Sequence, residues 1–485
     1  MTNHIQAQST SKKKIFLTGA SGNMGQHGME EILKRDDHFE ITALVLPTEK
    51  DRQIMEPFIN RGVKVVWGDL TCYEDVLRGI TGTDYVLHVG GMVSPLADTM
   101  PELTMKVNVG GAKNIVRAVQ SQPDPNHIKL VYIGTVAQTG NRPVPIHWGR
   151  VGDPIKISTF DTYALSKTLA ERIIVESGLK YWVSLRQTGI ARMAAAEPLN
   201  PITFHTTLDG VLEWITPKDS GRLLANVCED SVPDEFWRNI YNIGGGSPNR
   251  LTNLELFEKM LGATGVKDYQ EVLEPNWFAL RNFHGQWFSD SDQLESIVPY
   301  REQTFDQYLE EQIPHVPWYI RLGSALPNLV RRKFEQVARG PRGTLNWVAK
   351  GDIAHIKAYF GSLQLWKTIR GWDSIDLNRP SSTAFQLDHG YDESKPRGSF
   401  SIKDALEAAL FRGGECLSSH MVRGDWQSPL QWRCHEGHEF PASLNLILKG
   451  GHWCPVCMAD TDSYSKLASH SPFFQQVWEP DMIRG

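Results

Sequence analysis

The sequence predicts an α/β fold for the first part of this 485-residue chain, a doubly wound and mainly parallel sheet with helices on both faces. Short β-rich runs alternate there with spacers of helical length, and strands spaced in this way form βαβ units. The first run, KIFLTG at 14–19, is followed by a glycine-rich turn signal and a helical pattern. Four of the six cysteines lie far from this region, in the last 70 residues, which indicates a separate unit there.

Six strands and three helices are predicted along the α/β part. The strands are KIFLTG (14–19), EITALVLP (40–47), VKVVWGDL (63–70), DYVLHVGG (84–91), IKLVYIGT (128–135) and YWVSLRQTG (181–189). The helices are the patterns at 23–36, 107–122 and 163–178. Farther on, helical patterns at 220–230 and 252–265 with a strand at 239–246 predict a smaller lobe over the strand ends.

The rest of the chain is predicted to hold a helical region and a terminal module. Around 308–319 the β signals fade, and up to about residue 412 apolar residues recur at helical spacing, with a loop at 378–399. The predicted parts are a disordered tail (1–13), an α/β domain with a substrate lobe (14–313), a helical linker region (314–412) and a cysteine-containing module (413–485).

Composition and charge narrow the class of protein. Hydrophobic residues make up 41% of the chain and charged residues 22%, so most of the chain can bury a core. The formal net charge is −6, and no Lys/Arg block is longer than SKKK, so whole-chain charge does not favour nucleic acid or an anionic membrane as a partner. No apolar run is long enough to span a bilayer, and the first residues lack the apolar segment of a signal peptide. We therefore expect a cytoplasmic protein.

The glycine pattern TGASGNMG is the first functional signal. It places Gly19, Gly22 and Gly25 between a predicted strand and a predicted helix. A pyrophosphate needs a tight turn that lets backbone approach it, and its charge then lies against helix N–H groups. The surrounding strand and helix are the context that this motif requires. The sequence therefore predicts a Rossmann-type dinucleotide site.

A second signal lies in YALSK, where Tyr163 and Lys167 are four residues apart on one helix face. A nearby ammonium favours the phenolate and lowers the tyrosine pKa, so that the phenol can exchange a proton with a substrate oxygen. Thr135, at the end of a predicted strand, can hydrogen-bond the same oxygen. Each feature alone is commonly structural, but together they predict a catalytic set.

These motifs together resemble the extended, NAD-dependent epimerase/dehydratase-like branch of the short-chain dehydrogenase/reductase superfamily, over roughly 14–313. GDL (68–70), HVGG (88–91), VNVGGAKN (107–114) and LRQTG (185–189) match further family segments in order. The resemblance implies catalysis by Thr135, Tyr163 and Lys167. It also implies that NAD or NADP contacts Gly19, Gly22, Asn23, Met24, Gly25, Asp69, Leu70, Val89, Gly90, Gly91, Tyr163, Lys167 and Thr188.

The chain also departs from the family pattern. Leu46 and Pro47 stand where NAD-preferring members carry Asp or Glu, which favours NADP slightly. Val136 and Ala137 follow Thr135 where sugar dehydratases carry Asp-Glu, and Gly189 stands where sugar epimerases often carry Asn. We therefore expect hydroxyl–ketone chemistry on a small substrate that is not a nucleotide sugar. Nearness to family segments predicts the substrate residues Met92, Val93, Ser94, Gln138 and Ile190.

The terminal module carries a metal pattern. Cys434 and His438 in WRCHEGHEF are separated by 15 residues from the pair Cys454 and Cys457 in WCPVC. Zinc takes four such ligands in a tetrahedron, and paired ligands at tight turns supply them without a large core. Cys416 is a fifth candidate, and either Cys416 or His438 completes the set. The module resembles zinc-ribbon or treble-clef appendages and predicts structural zinc.

The sequence thus favours an NAD(P)-dependent oxidoreductase that acts on a small molecule. Two alternatives stay open: an epimerase that works through a transient ketone, and a non-catalytic NAD(P) sensor that signals through its zinc module. The complete Thr–Tyr–Lys set favours catalysis over sensing. A homodimer is expected, whereas nucleic acid and membrane are not expected as partners.

Overall fold

A computed structural model of the chain describes residues 12–193, 199–323 and 325–478. Most of the predicted tail, 1–11, lies outside the described residues. The strands are β1 (Lys13–Thr18), β2 (Phe39–Val45), β3 (Lys64–Trp67), β4 (Tyr85–His88), β5 (Lys129–Thr135), β6 (Trp148–Gly149), β7 (Trp182–Gln187), β8 (Val211–Glu213), β9 (Asn239–Ile243), β10 (Arg250–Thr252), β11 (Trp287–Phe288), β12 (Gly414–Cys416), β13 (Leu430–Cys434) and β14 (Glu439–Ala442).

Helices connect and cover these strands. They are α1 (Asn23–Leu33), α2 (Glu49–Ile59), α3 (Tyr73–Ile80), α4 (Leu96–Thr99), α5 (Pro101–Thr104), α6 (Gly111–Gln120), α7 (Thr162–Val175), α8 (Pro217–Asn226), α9 (Asn253–Thr264), α10 (Ser291–Ile297), α11 (Phe305–Gln312), α12 (Trp318–Gly323), α13 (Pro327–Arg339), α14 (Thr344–Lys350), α15 (Ile353–Phe360), α16 (Leu363–Thr368), α17 (Ile402–Phe411), α18 (Pro455–Ala459), α19 (Tyr464–His470) and α20 (Pro472–Trp478). Single π-helical turns lie at Met105–Gly110 and Asn445–Lys449.

Seven strands form one parallel sheet in the order β3-β2-β1-β4-β5-β7-β9. The strand order reverses between β1 and β4, and ligands of such sheets bind in the crevice outside the carboxyl ends at this point. The predicted doubly wound α/β fold is confirmed. The sequence prediction omitted α2 and α3, and it began the second helix at 107, where the structure has a π turn that leads into α6.

The two faces of the sheet bury separate cores because alternate strand residues point to opposite faces. Ile15 and Leu17 face a core with α1, α2 and α8, whereas Phe16 faces a core with α3, α6 and α7. On the first face, helices α1 and α8 pack closely through glycine. A Cβ on Gly221 would lie 2.5 Å from the backbone carbon of His27.

The region 314–412 does not form an extended linker. Its helix α13 packs Val330, Phe334 and Val337 against a core cluster that includes Phe204 and Trp277. Helices α14 and α15 supply further core residues against the same lobe. Much of the predicted helical linker region is therefore packed against the substrate lobe.

The carboxyl-terminal segment lies on the α6/α7 face of the sheet. Strands β12, β13 and β14 form an antiparallel sheet. Trp432 and Phe440 of this small sheet share one core cluster with Trp182 of the large sheet and with Ala408 of α17. The fold of this segment thus depends on contacts with the α/β domain. Within the described part of the chain, no helix is both long and apolar enough to cross a membrane.

Candidate active site and metal centre

The turn after β1 has the geometry of a phosphate cradle. Gly19 has φ +73°, and a Cβ there would lie 2.7 Å from the Cα of Gly90. A Cβ on Gly25 would lie 2.2 Å from the carbonyl oxygen of Gly19, so a side chain at either position would clash with backbone. Gly22 is different, because its Cβ would meet only that same oxygen, at 3.2 Å. The turn therefore needs Gly19 and Gly25 for its shape and leaves the surface at Gly22 open.

The first turn of α1 is available to an anion. Gly22 is the N-cap of this helix, and no side chain caps it. The backbone N–H groups of the predicted contacts Asn23, Met24 and Gly25 are among the donors that a helix start leaves without an intrahelical partner. A pyrophosphate placed there is stabilised by these donors and by the helix dipole.

Other predicted cofactor residues lie around the same crevice. The hydroxyl of Thr188 is buried and has no hydrogen-bond partner among the described atoms, as a residue awaiting a polar ligand would. Asp69 accepts a hydrogen bond from Thr71 N at 2.8 Å and begins the turn that leads through Leu70 into α3. A Cβ on Gly111 would lie 2.6 Å from a Leu70 methyl, so the second glycine of VNVGGAKN makes room for Leu70.

The β1 and β4 ends are held together by a buried hydrogen-bonded set that was not predicted. Thr18 Oγ1 lies 2.9 Å from His88 Nδ1 and accepts from Gly90 N at 2.9 Å. Burial, and then Lys167, lower the pKa of His88 to about 3, so this imidazole is neutral at neutral pH. The set fixes Val89, Gly90 and the start of the following loop. Gly91, the last predicted residue there, is exposed.

The predicted catalytic residues meet at the start of α7. Tyr163 is hydrogen-bonded to the side chain of Thr135, which ends β5. One helical turn farther along α7, Lys167 Nζ lies 4.4 Å from the centre of the Tyr132 ring. The Tyr132 hydroxyl donates to the Lys167 carbonyl at 3.1 Å. The structure therefore brings Thr135, Tyr163 and Lys167 into one region at the carboxyl edge of the sheet.

The electrostatics of this set differ from the prediction. Burial raises the pKa of Tyr163 to about 12, and the hydrogen bond from Thr135 opposes this only in part. Burial also lowers the pKa of Lys167 to about 7, although the Glu171 carboxylate opposes it. The expected lowering of the Tyr163 pKa by Lys167 is therefore not found, because burial dominates both groups.

Two residues that were not predicted hold the start of α7, the helix of Tyr163 and Lys167, in place. Asn108, in the first π turn, bonds both backbone groups of Met92 and donates to Ser166 Oγ at 2.8 Å. Asp98 accepts from the backbone N–H of Tyr163 and from Ser94, while its other oxygen is buried without a partner. Burial raises the pKa of Asp98. The family segment VNVGGAKN contained the signal for Asn108, but nothing local indicated Asp98.

The predicted substrate residues have different surroundings in the structure, and they do not form one pocket wall. Ser94 lines a cleft at the start of α7. Met92 is held by Asn108, Val93 is exposed, and Ile190 pairs with Ile215 at the sheet end. Gln138 is wrong as a pocket residue. Its side chain is fully buried, accepts from Thr135 N at 3.1 Å and donates to Glu171 at 3.1 Å.

The cleft measures about 270 Å³ and joins three parts of the chain. Its polar wall comes from Ser94, Asp98 and Asp161 beside the catalytic helix, and its aromatic wall includes Trp347 and Tyr359 from the helical region. The remaining lining residues are Pro95, Ser158, Phe160, Thr162, Asn200, Pro201, Ile202, His205, Asn282, Phe283, His284, Arg342 and His355. The helical region therefore helps to form the candidate substrate site.

A buried network joins α7 to the carboxyl-terminal segment. Glu171, one turn after Lys167, accepts from Arg186 Nη2 at 2.6 Å and from His452 Nε2 at 2.8 Å. Arg186 also donates to the Gly450 carbonyl at 2.7 Å. Burial opposes ionisation, but Arg186 and His452 outweigh it and hold the Glu171 pKa far below its usual range. Because Glu171 also binds Gln138, the network extends to the Thr135 backbone.

Four side chains of the carboxyl-terminal segment have the spacing of a tetrahedral metal site. Sγ of Cys434 lies 3.7 Å from Sγ of Cys457. The Nδ1 atom of His438 lies 3.4 Å from the sulfurs of Cys434 and Cys457 and 3.6 Å from that of Cys454. A zinc tetrahedron with ordinary bond lengths has edges of about 3.8 Å between sulfurs and about 3.5 Å between sulfur and nitrogen. The donor set therefore fits zinc.

Cys416 does not belong to this cluster. It lies opposite Trp432 in the small sheet, whereas Cys434 lies opposite Gly414. Two residues of strand separate the two cysteines along the ladder, about 7 Å. The geometry thus favours His438 over Cys416 as the fourth ligand.

Comparison with known proteins gives partial matches. Residues 16–184 match the model of the 3-beta hydroxysteroid dehydrogenase/isomerase family. The human 3 beta-hydroxysteroid dehydrogenase type 7 is 26% identical over 182 residues, which are 36% of this chain and 47% of that protein. The UDP-glucose 4-epimerase of Rickettsia massiliae is 28% identical over 110 residues, 22% of this chain and 32% of that enzyme. The chain thus spans less than half the length of these curated relatives.

Solved structures show the same fold. The dTDP-glucose 4,6-dehydratase DesIV of Streptomyces venezuelae, with NAD and TYD bound, superposes with a TM-score of 0.51 at 20% identity and covers 62% of this chain and 96% of its own. The Bordetella bronchiseptica enzyme WbmG, in complex with NAD and UDP, gives 0.50 at 20% identity, with 65% and 97% covered. Residues 16–184 are thus similar to the 3-beta hydroxysteroid dehydrogenase/isomerase family, and the two solved structures show that this part of the chain has the same Rossmann-type fold.

Proposed function

We propose that the protein is an NAD(P)-dependent oxidoreductase that interconverts a hydroxyl and a ketone on a small molecule, with Tyr163 as the acid/base. The observation that carries this proposal is the hydrogen bond between Tyr163 and Thr135 beside an uncapped helix start suited to a pyrophosphate. A phenol so placed can exchange a proton with a substrate oxygen that Thr135 also binds. The bound dinucleotide supplies or accepts the hydride at the neighbouring carbon.

The residues of the chain have separate roles in this proposal. Thr135 orients the substrate oxygen, and Tyr163 transfers the proton. Lys167 binds the cofactor ribose as an ammonium, and its charge then favours the Tyr163 phenolate. Asn108 and Asp98 hold the loop and the helix start that position these groups. The cleft between Ser94 and Tyr359 receives the substrate and restricts its access to water.

The cofactor is either NAD or NADP. NAD occupies the two solved structures of this fold described above. Leu46 and Pro47 directly follow β2, Leu46 is 48% exposed, and the acidic residues Glu49 and Asp51 come only in the first turn of α2, which Thr48 caps. Arg52 on α2 carries a guanidinium, but it stacks over Trp67 at 4.5 Å. Calorimetry with both dinucleotides on one preparation measures the preference directly, and we expect a modest preference for NADP.

An epimerase is the second candidate because it would use the same Thr135, Tyr163 and Lys167. Incubation with a panel of secondary alcohols and ketones, with nicotinamide absorbance as the readout, separates the two. A dehydrogenase consumes dinucleotide in proportion to product. An epimerase retains its cofactor and changes only the configuration of the substrate. No binding of either dinucleotide would overturn both proposals, whereas binding without any turnover would favour the NAD(P) sensor.

Cys434, His438, Cys454 and Cys457 are proposed to hold one structural zinc ion. The donor chemistry and the near-tetrahedral spacing support this assignment. All four ligands come from the protein, so no position is left for a reacting water. The homodimer and the cytoplasmic location stay predictions from the sequence.

A further inference from the structure

One apolar surface of the helical region has no partner within the described chain. Trp318, Tyr319 and Leu322 on α12 are 72%, 53% and 62% exposed. Leu326 and Leu329, at the start of α13, are 59% and 48% exposed. We call these five side chains the α12 surface. Large apolar side chains grouped in this way on a protein surface mark an interaction site.

The three exposed apolar side chains of α12 lie on one face of the helix. At 100° per residue, Trp318, Tyr319 and Leu322 lie within one 100° sector, and Ile320 lies on the opposite side. Ile320 is half-buried, so the helix turns its aromatic side outward. A helix of six residues has little stability of its own in water. The outward aromatic face therefore fits a helix that an apolar medium stabilises.

The next helix adds cations to the same side. Helix α13 packs the partly buried Phe334 and Val337 against the core of the lobe and turns Leu329, Arg332 and Lys333 outward. The stretch 313–342 holds six Lys/Arg residues and one acidic residue in a chain whose net charge is −6. Arg331 is paired with Glu274 and Arg339 with Glu335, whereas Arg332 and Lys333 on α13 are exposed, as is Arg321 on α12 itself.

We propose, against the expectation from the whole-chain charge of −6, that the α12 surface binds the surface of an anionic lipid bilayer. Trp and Tyr side chains favour the headgroup level of membranes, and leucines beside them enter the acyl boundary. Lys and Arg next to such a face are attracted by anionic lipids. A second copy of the chain fits less well, because Arg332 and Lys333 of the two copies would meet like charges.

The test is sedimentation of the full chain with phosphatidylcholine vesicles, with and without phosphatidylserine. We expect the wild type to sediment with the anionic vesicles and to be released by salt, because the attraction is screened. The double variant Trp318→Ser/Leu322→Ser is expected to lose at least tenfold in vesicle binding. Arg332→Gln/Lys333→Gln should lose the preference for anionic lipid. All four side chains are exposed, and thermal melting verifies that the variants fold.

Leu410→Ser is the matched control, because Leu410 is a 70% exposed leucine on α17, outside the α12 surface. It should bind vesicles as the wild type does. Failure of the wild type to sediment with anionic vesicles would overturn the proposal. A dimer in sedimentation equilibrium that Trp318→Ser/Leu322→Ser dissociates, without vesicle binding, would assign the surface to a second copy instead.

Discussion

The dinucleotide-binding half and the carboxyl-terminal segment are stabilised in different ways. In the first half, seven parallel strands bury a core on each face, and the candidate catalytic groups lie where the strands end. The carboxyl-terminal segment has a three-stranded sheet, the four donors of a metal site and a core that it shares with helices α6 and α7. The first region holds its candidate site by its own sheet, whereas the carboxyl-terminal segment shares its core with a neighbour and contains the donors of the proposed zinc site.

The comparison shows how a terminal segment can support a candidate active site that lies in another region, because hydrogen bonds join it to α7. Arg172 donates to the Pro441 carbonyl, Glu176 binds Ser443, and Glu171 binds His452. Arg172 and Glu171 lie on α7, and Glu176 lies at its end. Helix α7 also carries Tyr163 and Lys167. The segment therefore contacts the helix that carries Tyr163 and Lys167 and can support its position.

The largest expected effect follows loss of the metal. Cys454→Ser should lose zinc, unfold the small sheet and lower the melting temperature of the whole chain, because Trp432 and Phe440 belong to the core on the α6/α7 face. Structural zinc contributes on the order of 10 kcal/mol in small zinc modules. Metal content by atomic emission, paired with thermal melting, measures both consequences.

Cys416→Ser is the matched control for this experiment, since its thiol lies in the same small sheet but outside the donor cluster. It should retain zinc. A Cys454→Ser protein that loses zinc but melts with the wild type would show that the segment is an independent appendage.

The next effect concerns the contact between the two regions. Glu171→Gln removes the charge opposite Arg186, which is 1% exposed, and leaves a buried guanidinium without a counter-ion. We expect a loss of about 3–5 kcal/mol in the free energy of unfolding. Glu176→Gln, at the same interface but half-buried, should cost about 1 kcal/mol. Urea denaturation of both variants checks the comparison, and equal losses would contradict the role of Glu171 as the central acceptor.

A smaller effect is expected from pH. Burial lowers the Lys167 pKa to about 7, so the ammonium predominates below that pH and the neutral amine above it. If the ammonium binds the cofactor, dinucleotide affinity should fall several-fold as the pH rises from about 6 to about 8.5. Calorimetry across this range tests the dependence. Lys167→Met should bind weakly and show no such fall, and a wild-type affinity that rises with pH would contradict the assignment.

A substitution at Gly22, in the turn after β1, is expected to disturb the fold least. Gly22→Val should weaken dinucleotide binding at least tenfold while the protein still folds, because a Cβ there meets only one backbone oxygen at 3.2 Å. Gly262→Ala, in open space on α9, is the control and should bind dinucleotide normally. Unchanged affinity of Gly22→Val would place the pyrophosphate elsewhere.

The parts of the molecule that the sequence predicted are those with local signals. The strand–glycine–helix start, the i,i+4 pair on α7 and the strand that ends at Thr135 each follow from short-range spacing. Gln138 was misassigned although it carried a local signal, because Thr135 and Gln138 form a capping box that turns the amide back to the Thr135 backbone.

The rest depended on contacts between distant segments. Glu171 and His452 are separated by 281 positions, so no pattern within either segment could indicate their pairing. The register of β12 on β13, which the sequence does not reveal, favours His438 over Cys416 as the proposed fourth ligand. The cleft wall from Trp347 and Tyr359 was missed for the same reason, because helical periodicity predicts an element but not the surface it covers.

The central claim is that Tyr163 transfers the proton in a dinucleotide-dependent reaction. The most direct test is the rate of nicotinamide turnover by Tyr163→Phe, on the first substrate that the wild type accepts, with dinucleotide affinity measured on the same protein. The change removes the hydroxyl and keeps the ring, so folding and cofactor binding should stay within a few-fold of the wild type. We predict that turnover falls at least a hundredfold, the order of a general acid/base contribution. Turnover within a few-fold of the wild type would contradict the account.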